Sequence, residues 1–366
     1  MRRARELAAA ARQAAEPDQA LAAWASLRAL LHPRPRDPEL TELHLDAHVE
    51  ALRCAGQGEL PLGRAERVYE EGTSLCRELR RGARVLDLEL EFARYQLVRS
   101  FFGSASVHAR RAAELAHKAD REHLEATARG LGSFADLWEN ADPGEREPSG
   151  TSAWHLRTRA WQRAAREGPM HAAHLLADAP APEGPPEDVV RLGVDRAHFH
   201  WLEGDAETSL AIAQRALATP SCSGSNADPN GATAAAWGVV CASALDLDDL
   251  GLAIEAARET EKRTQHARLD ESGWLPVREL AATAFAAAGD RDAALERLRT
   301  GSNARRADPH AAIHYHRARA FAHLDDDAAA RAGLEKGIRR ARSAWLSRAW
   351  SGRLARLAQT LATGTD

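Results

Sequence analysis

The chain has 366 residues, of which 44% are hydrophobic and only 5% aromatic, and alanine is the dominant residue. Its formal net charge is −4 at pH 7 and its isoelectric point about 6.5, so the overall charge favours neither a nucleic acid nor a membrane surface as partner. Because β-branched runs are almost absent, this composition predicts an all-α protein, and the length suits an elongated array of helical repeats better than one compact core.

The N-terminal segment and the cysteines bear on where the protein works. Residues 1–19 begin with basic side chains, but Arg12 and Glu16 interrupt the apolar run, which predicts an amphipathic helix and not a signal peptide. No stretch of eighteen apolar residues exists, so no membrane span is predicted. The cysteines form no C-x-x-C pair, which predicts reduced thiols and a cytoplasmic protein. They are Cys54, Cys76, Cys222 and Cys241.

We predict that residues 1–140 form degenerate helical repeats. A turn at Glu16–Asp18 is followed by Ala20, Trp24 and Leu27 at helical spacing, whereas residues 40–82 keep only the helical period. Residues 141–152 are rich in proline, glycine and charged residues and cannot continue a helix. We predict that this loop separates the N-terminal region from a second set of repeats over residues 153–342.

One turn in the second half shows how these repeats are built. In the stretch WLEGDAETSLAIAQRAL, Gly204 can end a helix with a positive φ, and Asp205 can cap the next helix. Two antiparallel helices are therefore predicted, over 187–203 and 206–219. Ala197, Ser209 and Ala216 are small residues at fixed distances from the turn, where two helices approach closely.

The same arrangement recurs three times, with turns at Asp248–Asp249, Gly289–Asp290 and Asp325–Asp326. Small residues again follow each turn at five and twelve positions. They are Ala253, Thr260, Ala294, Gly301, Ala330 and Gly337. This pattern resembles the tetratricopeptide repeat family, although the turns lie further apart than that family's period of about 34 residues. The resemblance implies a right-handed α-solenoid of about eight or nine antiparallel helix pairs.

A search for catalytic chemistry gives no site. His44 and His48 can share a helix face, but no glutamate follows His44 and no third ligand is identifiable, so no metal or other cofactor is expected. The acidic runs 246–250 and 325–327 fall where the repeat turns, and we interpret them as helix caps. Phosphate-binding loops and nucleophile elbows are absent from the sequence, which favours a protein that is not an enzyme.

Two stretches are candidate binding surfaces. Tyr315, Arg319 and His323 share one helix face, and the resemblance implies that such residues line a concave groove. The matching face of the helix before Gly204 carries Arg191, His198 and Trp201. Together they predict an aromatic, cationic stripe in which Arg319 binds a partner carboxylate. The alternative is a solvated helix face whose arginine pairs with a local acid.

The second candidate surface is the C-terminal segment, residues 343–366. Between Lys336 and Thr365 the chain has seven basic residues and no acidic one, while apolar residues recur at helical spacing. One interpretation is a capping helix that lies on the last repeat with its basic face outward. The other is a docking helix that uses Arg348, Arg353 and Arg356 to bind an acidic partner or a nucleic acid.

We therefore expect a cytoplasmic, non-catalytic scaffold or adaptor that binds a protein or peptide in a bacterial signalling, defence or regulatory complex. An acidic partner would suit both candidate surfaces. The resemblance carries this expectation, because a fold alone does not determine function. Two alternatives stay open, namely an enzyme whose site is assembled across repeats and a nucleic-acid-associated regulator.

Overall fold

The structure is a computed structural model that describes residues 1–14, 17–32, 37–55, 60–99, 101–140, 149–180, 186–219, 231–264, 276–300, 309–343 and 346–363. Within these residues the backbone forms eighteen α-helices and no β-strand, which confirms the all-α prediction. They are α1 (Arg2–Gln13), α2 (Pro17–Leu31), α3 (Pro38–Ala55), α4 (Leu62–Glu78), α5 (Gly82–Val98), α6 (Phe102–Lys118), α7 (Glu122–Asn140), α8 (Ala153–Arg166), α9 (Pro169–Asp178), α10 (Pro186–Glu203), α11 (Ala206–Leu217), α12 (Ala232–Asp246), α13 (Leu250–Thr264), α14 (Val277–Ala287), α15 (Arg291–Thr300), α16 (Pro309–His323), α17 (Asp327–Ser343) and α18 (Ser347–Thr363).

The chain divides into two compact units. Unit 1 is built from Met1–Glu139, and unit 2 from Asn140–Ser223 and Ala232–Asp366. The core of unit 1 packs alanines of α1 to α4 around larger side chains such as Trp24, Leu45 and Phe92. Residues 141–148 of the predicted loop lie outside the described residues, so the proposed boundary between the two sets of repeats stays a prediction.

Helices of unit 2 pack as antiparallel pairs. Sequential partners such as α10 and α11, α12 and α13, and α16 and α17 contact each other, and the first helix of each pair also contacts the first helix of the next. Unit 2 therefore forms one layer from α8, α10, α12, α14 and α16, which we call the inner layer, and a second layer from the helices that follow them. The last helix, α18, contacts α17 and also α16, α10 and α8.

The turns that the sequence singled out share one backbone geometry. Gly204, Asp248, Gly289 and Asp325 all have a positive φ, between 56° and 108°. In each turn the next N–H donates to the carbonyl five residues earlier, at 2.9 to 3.0 Å, which satisfies a helix-end acceptor. The following aspartate then caps the next helix, as Asp205 does by accepting from the Thr208 N–H at 3.1 Å. In the acidic runs, Asp249 and Asp326 accept in the same way, which confirms the capping interpretation for these two residues, as Asp290 does in the third turn. Asp246 of the first run caps no helix and instead pairs with Arg319 and Arg353.

The small residues mark close helix contacts, as predicted. The hydroxyl of Ser209 donates to the carbonyl of Ala197 at 2.8 Å, so α11 lies directly on α10. A Cβ added at Gly337 would come within 3.2 Å of His314 and Leu354, which shows how closely α17 approaches α16 and α18. A larger side chain at such a position would push two helices apart.

The cysteines and the absence of a membrane span were also predicted from the sequence. Cys54, Cys76 and Cys241 are buried free thiols. Glu16, Cys222 and Gly301 lie outside the described residues. None of the helices that the structure describes combines the length and the hydropathy needed to cross a membrane.

Candidate functional site

The inner layer of unit 2 holds a buried aromatic cluster where α10, α16 and α18 meet. Trp201 is 1% exposed, and its ring stacks on His316 with centroids 5.7 Å apart. Trp350 of α18 meets Trp201 edge to face at 5.8 Å and lies 5.7 Å from Tyr315. The three helices come from distant parts of unit 2, so this cluster fixes α18 against the inner layer.

Beside the aromatic rings lies a half-buried ionic network centred on Asp246, the last residue of α12. Arg319 of α16 donates to one carboxylate oxygen at 2.8 Å, and Arg353 of α18 donates to the other. Arg353 also donates to the backbone carbonyl of Trp201, and its guanidinium lies 4.1 Å from the centre of the Trp201 ring. One carboxylate therefore pairs with two arginines from two different helices.

The predicted groove stripe is not an open surface. His198, Trp201 and Tyr315 do come together, but they are buried, so the expectation that they line an accessible groove is wrong in this conformation. The physical reason is that α18 packs on the same face, as the contacts of Trp350 show.

The charged members of the stripe have local partners or lie outside the cluster. Arg191 is buried, and its Nε lies 3.6 Å from the carboxylate of Asp195. Arg319 pairs with Asp246, so it has an acidic partner as in the alternative interpretation, but that acid is 73 residues away and the face is not solvated. His323 is exposed at the end of α16. A role of the stripe in binding a partner stays a prediction, and it requires α18 to leave.

The three C-terminal arginines differ in burial but all donate to backbone carbonyls of other helices. Arg353 points inward and is buried, which corrects the expectation of a uniformly outward basic face. Arg356 is exposed, but its guanidinium donates to the Leu202 carbonyl at 3.0 Å. Arg348 is exposed and donates to the carbonyl of Arg166 at the end of α8. Each of the three thus holds α18 to the inner layer through at least one hydrogen bond.

Burial strongly affects the histidines of the cluster. The pKa of His198 is lowered to about 3 by burial first, and then by the positive charges of Arg353 and Arg191. The pKa of His316 is lowered well below its usual value for the same kind of reason, with burial again the largest cause. Both imidazoles are therefore neutral near pH 7, and they behave as aromatic core residues.

Two further polar clusters were missed by the sequence reasoning. In unit 2, Arg157 of α8 donates to Asp195 at 2.6 Å, and both side chains are buried. In unit 1, the buried carboxylate of Glu89 accepts from Tyr69 at 2.7 Å and lies 2.6 Å from Nδ1 of His108. These residues come from different helices, so no spacing along the chain could have indicated them.

We next consider whether the side chains that the structure describes could bind a metal ion. Among them, no group of three His, Cys, Asp or Glu residues is arranged to hold a metal ion. His44 and His48 do share a helix face, with ring centroids 5.0 Å apart, but His48 Nδ1 is already hydrogen-bonded to the His44 carbonyl at 2.9 Å. Burial lowers the pKa of His44 to about 4 and that of His48 to about 3.

An accessible cavity of about 550 Å³ lies between α17 and α18. We name it the α17–α18 cleft. Its lining residues are Ile338, Ala341, Arg342, Arg348, Ser351, Leu354 and Ala355. Ala341 and Leu354 are buried and form an apolar floor, while Arg342 and Arg348 are exposed. The size falls within the range of about 300–1,000 Å³ that is usual for ligand sites.

No family model matches the chain, and no curated protein matches it in sequence. Among solved structures, the chain is similar over 95% of its length to 98% of a Rap protein crystallised in complex with competence and sporulation factor, with a TM-score of 0.51 and 14% identity. The apo form of RapI also aligns, over 99% of this chain and 98% of RapI, with 12% identity. The TM-score of that alignment is 0.35, and we base no argument on it. The first similarity confirms the predicted fold, an all-α array of tetratricopeptide-like repeats.

Proposed function

We propose that the protein is a non-catalytic helical-repeat adaptor that binds a peptide or a segment of another protein in a bacterial regulatory complex. The observation that carries the proposal is the similarity in fold, over nearly the whole chain, to a Rap protein solved with competence and sporulation factor bound. Repeat folds present extended surfaces that suit such partners. At 14% identity this similarity concerns the fold, so the partner itself has to be found by experiment.

The polar chemistry of unit 2 supports binding better than catalysis. Its buried and half-buried charged residues, such as Arg353, Asp246 and Arg157, form ion pairs that connect helices. His198 is buried and neutral near pH 7 and so is poorly suited to act as a general acid there. The exposed part of unit 2 instead offers a cleft with an apolar floor and cationic edges. We place the protein in the cytoplasm, which is supported by the free thiols of Cys54, Cys76 and Cys241.

The proposal is tested by the melting temperature of the purified full chain in fractions of an extract from its own host. A ligand that binds only the folded state raises the melting temperature by mass action. We expect at least one fraction to raise it, and we expect protease treatment of that fraction to abolish the effect while nuclease treatment leaves it intact. An effect that nuclease abolishes, or one that survives protease, would contradict a polypeptide partner.

Catalysis is tested in the same fractions. If the protein is an adaptor, the active fraction keeps its composition by mass spectrometry after prolonged incubation with the chain. Conversion of a component, dependent on the chain, would show an enzyme instead.

A further inference from the structure

The α17–α18 cleft combines an apolar floor with cationic edges. Its floor is apolar, formed by Ile338, Ala341 and Leu354. Its edges carry two guanidinium groups, one from each helix, on Arg342 and Arg348. A hydroxyl group, that of Ser351, is also exposed in the lining.

The cationic edge lacks compensating acids. The sequence has no acidic residue from Lys336 to Thr365, so neither the second half of α17 nor any part of α18 supplies one. Arg342 makes no ion pair or hydrogen bond with any residue in the described part of the chain. Arg348 donates to one backbone carbonyl, which is uncharged, so its positive charge also lacks a carboxylate partner among those residues. A ligand with negative charge would be complementary to both.

We propose that the α17–α18 cleft is the docking site for an acidic peptide segment that carries one large apolar side chain. This inference rests on the proposed function and names the chemistry of the partner. The apolar side chain would occupy the floor beside Leu354, and flanking carboxylates would pair with Arg342 and Arg348. Arginine suits this role, because its planar guanidinium binds a carboxylate through two parallel hydrogen bonds.

The shape of the cleft favours a peptide over a nucleic acid. A phosphate backbone would use exposed cations wherever they lie on these helices, including Lys336 and Arg339 outside the cleft. The phosphate backbone would make no favourable contact with the apolar floor. A peptide with alternating acidic and apolar groups uses both features at once, and binding then depends on the residues of the lining and not on the overall charge.

The test uses the folded full chain and isothermal titration calorimetry with an acetylated synthetic peptide, Glu-Asp-Leu-Asp-Glu, extended by Gly-Ser at both ends. A matched peptide replaces the leucine by serine. We expect the leucine peptide to bind and the serine peptide to bind at least fivefold more weakly, since it lacks the apolar contact. We also expect binding to weaken when salt is raised from about 50 to about 300 mM.

Two double variants with the same change in net charge locate the site. Arg342→Glu with Arg348→Glu removes the cations of the lining, and Lys336→Glu with Arg339→Glu removes two exposed cations outside it. We expect the dissociation constant to rise at least tenfold for the first pair and less than twofold for the second. Equal losses would overturn the proposal, because diffuse attraction would then explain binding. Binding of a duplex DNA probe with the same equal losses would indicate a nucleic-acid surface.

A third pair of variants tests the apolar floor without changing charge. Ala355→Trp fills the cleft from an exposed position, and Ala332→Trp places the same side chain at an exposed position of α17 outside it. We expect only Ala355→Trp to abolish binding, at an unchanged melting temperature. No binding of the leucine peptide up to about 1 mM would overturn the proposal.

The failure of this inference and that of the proposed function are distinguishable. If host fractions raise the melting temperature of the wild type and of the Arg342→Glu, Arg348→Glu variant equally, the adaptor function stands and the cleft is not its site. If the synthetic peptide binds in the cleft but no host fraction acts through a polypeptide, the site stands and the proposed function fails.

Discussion

Asp246 offers the most demanding test of the network that holds α18 in place. Its carboxylate pairs with Arg319 at 2.8 Å and with Arg353, and the three side chains are only 15%, 12% and 5% exposed. The variant Asp246→Asn keeps the shape of the side chain but removes its charge. Two guanidinium groups would then remain buried without a carboxylate.

The expected loss of stability follows from that burial. Removing one partner of a buried ion pair costs about 3–5 kcal/mol. For a unit of this size, 1 kcal/mol changes the melting temperature by about 2–4 °C, so Asp246→Asn should lower it by roughly 6–20 °C. Near-ultraviolet circular dichroism is a suitable assay, because it follows the tryptophans that cluster beside Asp246.

The neighbouring Asp248 provides the matched control. It is exposed and has a φ of 56°, a conformation that asparagine also adopts readily. Asp248→Asn should therefore leave the melting temperature nearly unchanged. A second substitution, Arg353→Met in the Asp246→Asn background, should recover part of the loss by removing one unpaired cation. If Asp246→Asn and Asp248→Asn have equal effects, the network does not stabilise α18 and the reasoning is refuted.

Three further predictions concern unit 2. Trp350→Ala should cost about 3–5 kcal/mol in chemical denaturation, because it empties the aromatic cluster; a loss below about 1 kcal/mol would contradict its burial. Ala216→Trp should cost about 1–3 kcal/mol by overpacking the contact of α11 with α10, and full tolerance would show that the repeat register is wrong. His198 is neutral when folded, with a pKa of about 3, but takes up a proton below about pH 6.5 when unfolded, so its contribution is complete above that pH and is lost as the pH falls toward 3. Between pH 7 and 5 the wild type should therefore lose about 2 kcal/mol more stability than His198→Gln, measured by urea denaturation; equal slopes would contradict the lowered pKa.

The repeat architecture could be predicted because its determinants are local. Gly204 with its positive φ, Asp205 as the cap and Ser209 at the helix contact all act within a few residues of the turn. Such short-range features leave a periodic pattern in the sequence. The same local logic explained Asp249 and Asp326 as helix caps, but not Asp246, whose arginine partners come from distant helices.

The candidate site could not be predicted in the same way. Helical spacing correctly showed that Tyr315 and Arg319 share a face, but periodicity does not reveal whether another helix covers that face. The covering residue, Arg353, lies more than a hundred residues along the chain from Asp246 and Trp201. The cleft could not be predicted either, because it depends on the distance between α17 and α18 in the folded structure. Only its charge was visible in advance, as the run of basic residues without an acid.

The central claim, that this chain is an adaptor for a polypeptide, is tested most directly by native mass spectrometry of the full chain isolated from its own host. We predict a complex whose additional mass belongs to a peptide or protein in a fixed stoichiometry, and whose mass does not change on incubation. The Arg342→Glu, Arg348→Glu variant should lose this mass, while the Lys336→Glu, Arg339→Glu control should keep it. An additional mass that belongs to a nucleic acid or a small molecule, or one that the chain converts with time, would contradict the claim.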